Sequence, residues 1–330
     1  MDKEGYPAIK VPKQKGQKTL QRLKEDGRLD PNRMIKTEGD ELIFPVKKEG
    51  DYSDKDPKFR QKRSKPYLQI KEKIDIPSEE KKRLPDNWEL IGDILFIKLS
   101  DSLKEHEERI GEAYAEVLNA KTVMLQGSIQ GMKREPEVEK IYGDDTETVH
   151  VENGIKYRLD TSKLMFSSGN IDERIRMAQV VNEDDVVVDM FAGIGYFSLP
   201  MAVHGGAEKI FSLEINPTAF SYLEENVRLN DVEDTVRPWN GDNRDFSYSG
   251  ADRVVMGYLH DTGKFLDKAI EFLDGSGIIH YHTRSLDSEY PEDVKDELED
   301  RLDTGFRIVE KKIIKSYAPH VFHVVFDLKI

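Results

Sequence analysis

Cysteine is absent from all 330 residues, which excludes disulfides, thiol nucleophiles and thiolate-ligated zinc or iron–sulfur centres. Long apolar runs are missing too. No stretch approaches the roughly 18 residues that a membrane span needs, and the opening MDKEGYPAIKVPKQKGQ lacks the apolar core of a secretion signal. Internal repeats and low-complexity tracts are likewise lacking. A cytoplasmic protein with no membrane partner is expected. What remains is ion-rich: 35% charged against 37% hydrophobic residues, with a net charge of −14. As an average, that charge disfavours a polyanionic partner. Averages hide patches, however, and Lys58-Phe59-Arg60-Gln61-Lys62-Arg63-Ser64-Lys65 carries five cations and no acid. Such a run can track phosphates by counterion release; it also reads as a solvated linker.

The length allows two or three domains. Residues 1–46 read as a small unit, with helical periodicity over Thr19–Glu25 and a strand over Glu41–Val46. Residues 47–76 turn to Lys, Asp, Gly and Ser and are expected to be a linker. Residues 77–160 read as an α+β middle domain. There WELIGDILFIKL (88–99) reads as strand, and Ser102 with Glu105 has the spacing of a capping box. A helical stripe follows at Ile110, Ala113, Tyr114, Val117 and Leu118, and Ile155–Phe166 reads as another strand. Residues 161–330 alternate apolar strands with amphipathic helices, the pattern of a parallel sheet covered on both faces. Two long strands, Phe306–Tyr317 and Val321–Ile330, close the chain as an antiparallel hairpin.

The first strand of this last domain runs into DMFAGIGYF, residues 189–197. Asp189, Gly193 and Gly195 are candidate ligand contacts, because glycines let backbone N–H groups approach a ligand closely. Glu214 ends the next strand, 21 residues after Gly193, where an acid grips ribose hydroxyls. The third glycine of G-x-G-x-x-G is missing, so a pyrophosphate site is poorly made. The pattern suits S-adenosylmethionine, which carries a ribose and an ammonium but no phosphate; a dinucleotide is the lesser alternative. Asp242 and Asn243 follow the third strand, placed to hydrogen-bond an adenine. Upstream, Ser167 and Arg174 lie in FSSGNIDER (166–174), which can fold over the cofactor's polar tail.

The segments VVVDMFAGIGYFSLP, SLEINPTAFSYLEENVRLN, GDNRDF and SYAPHVFHVVFDLKI resemble the tRNA guanosine-37 modification family. That family contains N1-methyltransferases and wybutosine-pathway aminocarboxypropyltransferases. AIKVPKQKGQKTLQRLKEDGRLD and QGMKREPEVEKIYG resemble its N-terminal and middle domains, so the likeness spans nearly the whole chain. The resemblance implies a class I, Rossmann-like α/β domain that uses S-adenosylmethionine as donor, with a terminal antiparallel hairpin. It also implies a small N-terminal domain that helps recognise folded tRNA, and Ser167, Arg174, Glu214, Asp242 and Asn243 as cofactor contacts. Methyltransferases of the family resemble Asn-Leu-Pro-Ala at the strand end where this chain has Met256-Gly257-Tyr258-Leu259-His260. Asp242-Asn243-Arg244-Asp245 likewise matches the other branch. The likeness therefore implies transfer of the 3-amino-3-carboxypropyl group to C7 of 4-demethylwyosine at position 37 of tRNA(Phe), releasing methylthioadenosine. N1-methylation of guanine-37 is the alternative.

Gly257, Tyr258 and His260 become the candidate catalytic positions, and no general base is evident. Tyr258 can stack on a base or belong to the core; His260 can reach substrate or be an ordinary partly exposed histidine. His280 and His282 alternate on one strand face, but no carboxylate is spaced as a third ligand, so no metal is expected. The chain is expected to act as a monomer.

Overall fold

The computed structural model describes residues 5–30, 33–55, 58, 65–130, 135–302 and 305–330, which form two compact units divided after Gln69. The first holds strands β1 (Tyr6–Pro12), β2 (Lys36–Glu38), β3 (Glu41–Pro45) and β4 (Tyr52–Asp54) in the order β2-β3-β1-β4. Helix α1 (Gly16–Glu25) turns Leu23 onto Ile9, Phe44 and Val46. Strand β4 lies in the segment expected as linker, so this sheet runs on to Asp54. Its register pairs Tyr6 with Asp54 and Ala8 with Tyr52, and a Cβ at Gly50 would come within 2.0 Å of Ala8 O. Composition hides this strand because it is an edge with one buried side chain, Asp54, which is bonded to Lys36 at 2.7 Å. Of the basic run 58–65, residues 59–64 lie outside the described residues.

The second unit begins within helix α2 (Pro66–Lys73). Its middle sheet has the order β5 (Trp88–Ile91), β6 (Ile94–Ile97), β7 (Thr122–Gln130), β8 (Glu135–Tyr142). WELIGDILFIKL is therefore two strands and not one. Gly92, at φ +59°, turns the chain so that Ile91 pairs with Ile94. The capping box at Ser102 is not formed. Asp101–His106 is a 3-10 turn in which Leu103 N donates to Ser100 O, and the Ser102 hydroxyl bonds that of Ser100 at 3.1 Å. Helix α3 (Glu107–Leu118) starts later and buries Ile110, Ala113 and Tyr114. The hairpin β9 (Glu147–Glu152) and β10 (Ile155–Asp160) follows. The strand expected to reach Phe166 stops at Asp160, whose carboxylate accepts Ser162 N and the Thr146 and Ser162 hydroxyls and fixes a turn.

Helix α4 (Ile171–Val180) leads into a seven-stranded sheet made of β11 (Val186–Asp189), β12 (Lys209–Glu214), β13 (Val236–Asn240), β14 (Arg253–Met256), β15 (Ile278–Leu286), β16 (Arg307–Ala318) and β17 (Val321–Lys329). The order is β13-β12-β11-β14-β15-β17-β16. The first five strands in this order run parallel and the terminal hairpin is antiparallel, as expected. Strand order reverses between β11 and β14, and a ligand crevice opens at the carboxyl ends beside such a switch point. Between the strands come the short α5 (Ser198–Pro200), then α6 (Pro217–Leu229), α7 (Leu266–Leu273) and α8 (Glu292–Arg301). Asn216 caps α6, its Oδ1 accepting Thr218 N at 3.0 Å.

One apolar cluster runs from Ile91, Ile94 and Phe96 through Tyr157 and Phe166 to Val187 and Ile210. The segments expected as middle and catalytic domains thus share a core. Asn226 of α6, fully buried, adds a polar seam by donating to Arg158 O and Ile194 O and accepting from Arg158 N. No helix among the described residues is long and apolar enough to cross a membrane.

Candidate functional site

The turn after β11 is held from three sides. Met190 N donates to Val255 O and Ala192 N to Leu213 O, both at 3.0 Å. Gly193 and Gly195 sit at φ +58° and +101°, where a side chain is strained and would meet the Tyr196 ring or Leu199. Gly193 N donates to Glu214 Oε2 and Asn216 N to Glu214 Oε1, both at 2.7 Å. Burial pushes the Glu214 carboxyl above its ordinary range, partly offset by these N–H donors. Each of its oxygens keeps lone pairs for further donors such as ribose hydroxyls.

The Asp189 carboxylate, expected among the ligand contacts, is engaged within the protein. It is fully buried, accepts the Ser198 hydroxyl at 2.7 Å, and Ser198 in turn receives Ser212. Burial raises its carboxyl to about 6. Asp189 thus stiffens the glycine turn from behind.

Asn243 donates to Met190 O at 3.1 Å, while its buried Oδ1 has no hydrogen-bond partner among the described residues. A buried carbonyl without a donor is costly, and an adenine amino group would satisfy it. Asp242 is held by Arg244 through Nε, Nη2 and the backbone N, and that pairing keeps its carboxyl below the usual range. The loop joins the Glu214 backbone directly, since Asn240 Nδ2 and Gly241 N both donate to Glu214 O. Gly193, Gly195, Glu214 and Asn243 are therefore one constellation, with a glycine cradle and an unspent acceptor that fit a ribose and an adenine.

Ser167 and Arg174 lie on the facing wall. Phe166 packs edge-on against Tyr196, whose hydroxyl donates to Met165 O, so this wall leans on the glycine turn. The Arg174 guanidinium is committed within the protein. It is 2% exposed, chelates Glu152 through Nε and Nη2, donates to Ser167 O at 3.0 Å and lies over the Phe166 ring. The Ser167 hydroxyl receives Lys315 Nζ from β16.

At the end of β14, Tyr258 stacks on Phe191 of the glycine turn, centroids 5.1 Å apart and 17° between planes, with Phe265 edge-on to both. Gly257 faces Phe197; a Cβ there would lie 2.9 Å from Phe197 Cε2. His260 Nε2 is 3.4 Å from the Tyr317 hydroxyl on the terminal hairpin. His280 and His282 share a face as expected, but what they meet comes from far along the chain: Asp327 for His280, and His323 and Glu173 for His282. Among the described residues, Glu80, Glu105 and His106 of the middle segment are the ligand-type side chains within metal-ion reach of one another. Sequence reading missed Glu152, Phe197, Lys315 and Tyr317. The alternation Lys315, Tyr317 on one strand face was a usable signal and Phe197 closes the motif DMFAGIGYF, whereas nothing local marks Glu152.

If Glu214 receives a ribose, Glu214→Ala should weaken S-adenosylmethionine binding by about 1–3 kcal/mol, since buried hydroxyls and the Gly193 and Asn216 amides lose a charged acceptor. Calorimetric titration measures this, and an unchanged dissociation constant would remove Glu214 from the site.

Comparison with known proteins adds the following. Residues 148–308 match the model of the TRM5/TYW2 methyltransferase domain, residues 70–146 the TYW2 N-terminal domain, and residues 8–54 the tRNA methyltransferase 5 N-terminal domain. The chain is 46% identical over 261 residues to the tRNA(Phe) (4-demethylwyosine(37)-C(7)) aminocarboxypropyltransferase of Pyrococcus horikoshii, covering 78% of this chain and 93% of that protein. It is 35% identical to the tRNA (guanine(37)-N(1))-methyltransferase Trm5b of Pyrococcus abyssi, over 98% of both. Among solved structures it resembles P. horikoshii TYW2 in complex with MeSAdo, at a TM-score of 0.73 and 44% identity over 80% of this chain and 98% of that one. The complex of aTrm5 with tRNALeu matches at a TM-score of 0.70 and 30% identity, over 97% and 98%.

Proposed function

Because the chain belongs to the TRM5/TYW2 family, we propose that it transfers the 3-amino-3-carboxypropyl group of S-adenosylmethionine to C7 of 4-demethylwyosine at position 37 of tRNA(Phe). The observation that carries this reading is the 46% identity to an enzyme of that name across 93% of its length. The N-terminal unit matches a domain of the methyltransferase branch, and a member of that branch is seen with tRNA, which supports tRNA as the partner. A tRNA substrate also supports a cytoplasmic setting, and we take a single chain as the active unit.

In this reading Glu214 accepts the ribose hydroxyls, Asn243 Oδ1 and Asp242 receive the adenine edge, and Gly193 and Gly195 let the backbone close over the nucleoside. Asp189 stiffens that turn. Ser167 receives the polar end of the amino-acid arm, and Arg174 braces Ser167 through its carbonyl. Bound there, the donor supplies a sulfonium that activates its attached carbons: C7 bonds to the γ-carbon, the C–S pair returns to sulfur, methylthioadenosine leaves and C7 loses its proton. Gly257, Tyr258 and His260 set the wall against which the acceptor base approaches, with Tyr258 fixed by Phe191. Their contribution is alignment, since near-linear attack at roughly 3–3.5 Å is the main gain open to a site with no evident general base.

The test incubates the protein with 4-demethylwyosine-containing tRNA and S-adenosylmethionine labelled separately in the methyl and in the carboxylate. Carboxylate label on the tRNA with methylthioadenosine released is expected. Methyl label on tRNA with an unmodified guanine-37 in a parallel incubation, with S-adenosylhomocysteine released and no label on the 4-demethylwyosine tRNA, would make this a guanine-37 methyltransferase.

A further inference from the structure

A row of rings leads outward from the glycine turn. Phe191 of the turn stacks on Tyr258, and the Tyr258 ring lies 5.7 Å from that of His260. His260 lies 6.3 Å from Tyr317 on the terminal hairpin, and the Arg284 guanidinium sits over the Tyr317 ring, 5.4 Å from its centroid. The four rings are half-buried and Arg284 is exposed, so the row runs along the surface and ends in a cation. Local geometry places the last pair. Ser316 pairs with Phe322 and Ala318 with Val321, which makes Tyr317 the extra residue of a β-bulge, a device that re-aims a side chain. Arg284 lies two residues after His282 on the same face of β15, and His282 stacks on Phe197 at the end of the glycine turn. The pair is thus tied to the turn by two routes.

Among the described residues the Arg284 side chain makes no hydrogen bond or ion pair. It lines a cavity of about 360 Å³ together with Asp261, Asp293 and Glu297, but each of these acids has a partner of its own. Asp261 holds Lys264 at 2.7 Å, Asp293 accepts the Ser285 hydroxyl at 2.9 Å, and Glu297 accepts the Tyr281 hydroxyl at 3.0 Å. Tyr317 covers one face of the guanidinium and holds it in place, which leaves the planar N–H edge, whose fork fits a phosphate.

We infer that Arg284, seated on Tyr317, receives a backbone phosphate of the tRNA anticodon loop close to position 37. The half-exposed rings between it and the glycine turn are then the platform on which the unstacked bases of that loop lie, since every base has a face to stack on an aromatic side chain. The inference rests on the reading that the chain modifies a tRNA base at this turn. It adds the anchor that holds the strand while that base is presented to the donor.

Filter binding of the full chain to 4-demethylwyosine-containing tRNA(Phe) over a salt series tests the contact. Arg284→Ala should weaken tRNA about 10-fold at low salt, flatten the log–log salt slope by about 1, and leave S-adenosylmethionine affinity within about two-fold. Arg284→Lys should recover most of the slope. Ethylating the anticodon-loop phosphates beside position 37 should impair binding to the parent and add little to the loss in Arg284→Ala. Weaker binding with an unchanged slope would put the guanidinium on a base, and equal interference by ethylation in parent and variant would put the phosphate elsewhere. Loss of S-adenosylmethionine affinity alongside that of tRNA would mean that Arg284 only braces the loop after β14. Each of these results, or an unchanged tRNA affinity, overturns the proposal. Methyl label on tRNA with an unmodified guanine-37 would sink the aminocarboxypropyl reading and leave this phosphate contact standing.

Discussion

Replacing Arg176 with alanine should cost the fold about 3–5 kcal/mol at neutral pH, the penalty for leaving buried charges without their partner. Arg176 on α4 bonds Glu173 through Nε at 2.9–3.0 Å and through Nη2 at 2.7 Å, and Asp327 of β17 at 2.6 Å. Glu173 and His280 are fully buried and Asp327 nearly so. The two carboxyls respond differently. For Asp327, burial alone would raise the pKa, but His280 and Arg176 together overcome it and hold the group well below the usual carboxylate range. For Glu173, burial outweighs its bonds to Arg176 and the carboxyl lies above its ordinary range. The sign of the pH dependence follows. A depressed Asp327 contributes stability that is present above its unfolded pKa of about 3.9 and is lost as the pH falls through the folded value. Without Arg176 both carboxyls take up protons more readily, so the gap between variant and parent should narrow from pH 7 towards pH 4. Urea unfolding at several pH values reads this directly. A loss under about 1 kcal/mol at pH 7 would mean that water reaches these charges. The same helix carries Arg174, so the variant should also loosen Ser167 and the wall it forms.

That network could not be read from the sequence. His280 and His282 were visible as neighbours on one strand face, but Asp327 is 47 residues from His280 and 151 from Arg176. Nothing local pairs them. The strand–helix rhythm from Val186 onward was legible because parallel strands buried on both faces read as apolar runs. Asn216 and Pro217 were legible because a cap and its N1 proline act within four residues. The errors have a common origin in short-range geometry. One glycine at positive φ made WELIGDILFIKL a hairpin, and a 3-10 turn replaced the expected capping box. Strand β4 carried too few apolar residues to register. Residue types and spacing picked out Gly193, Glu214 and Asn243, which the fold brings together, but not which way a side chain turns. Asp189 belongs to the turn's motif yet points back at Ser198, and Arg174 is clamped by Glu152. Both directions are set by tertiary partners.

Gly257 shows the same limit and gives the sharpest test. From the sequence, its missing side chain suggests room beside the donor, vacated by the asparagine of the methyltransferase branch. In the fold, a side chain at position 257 would meet Phe197. A Cβ at position 257 would lie 2.9 Å from Phe197 Cε2 and 3.3 Å from Cδ2, closer than carbon atoms pack. The ring has little freedom to retreat, because it also stacks on the fully buried His282, centroids 5.1 Å apart. Phe197 also follows the glycine turn directly, so pushing it moves the backbone that cradles the nucleoside. Gly257→Asn should therefore cost about 1–3 kcal/mol of stability through overpacking and lower kcat about 100-fold through misplacement of the reacting groups. It should not convert the enzyme: methylthioadenosine should remain the released product, because the added amide meets an aromatic ring before it meets the donor. Adding Phe197→Ala should recover part of the lost stability, a non-additivity expected only of side chains in contact. Near-normal turnover of Gly257→Asn would show that Phe197 yields and that the glycine is incidental. Release of S-adenosylhomocysteine by the single variant would restore the simpler view, in which this one position decides which carbon of the sulfonium is presented.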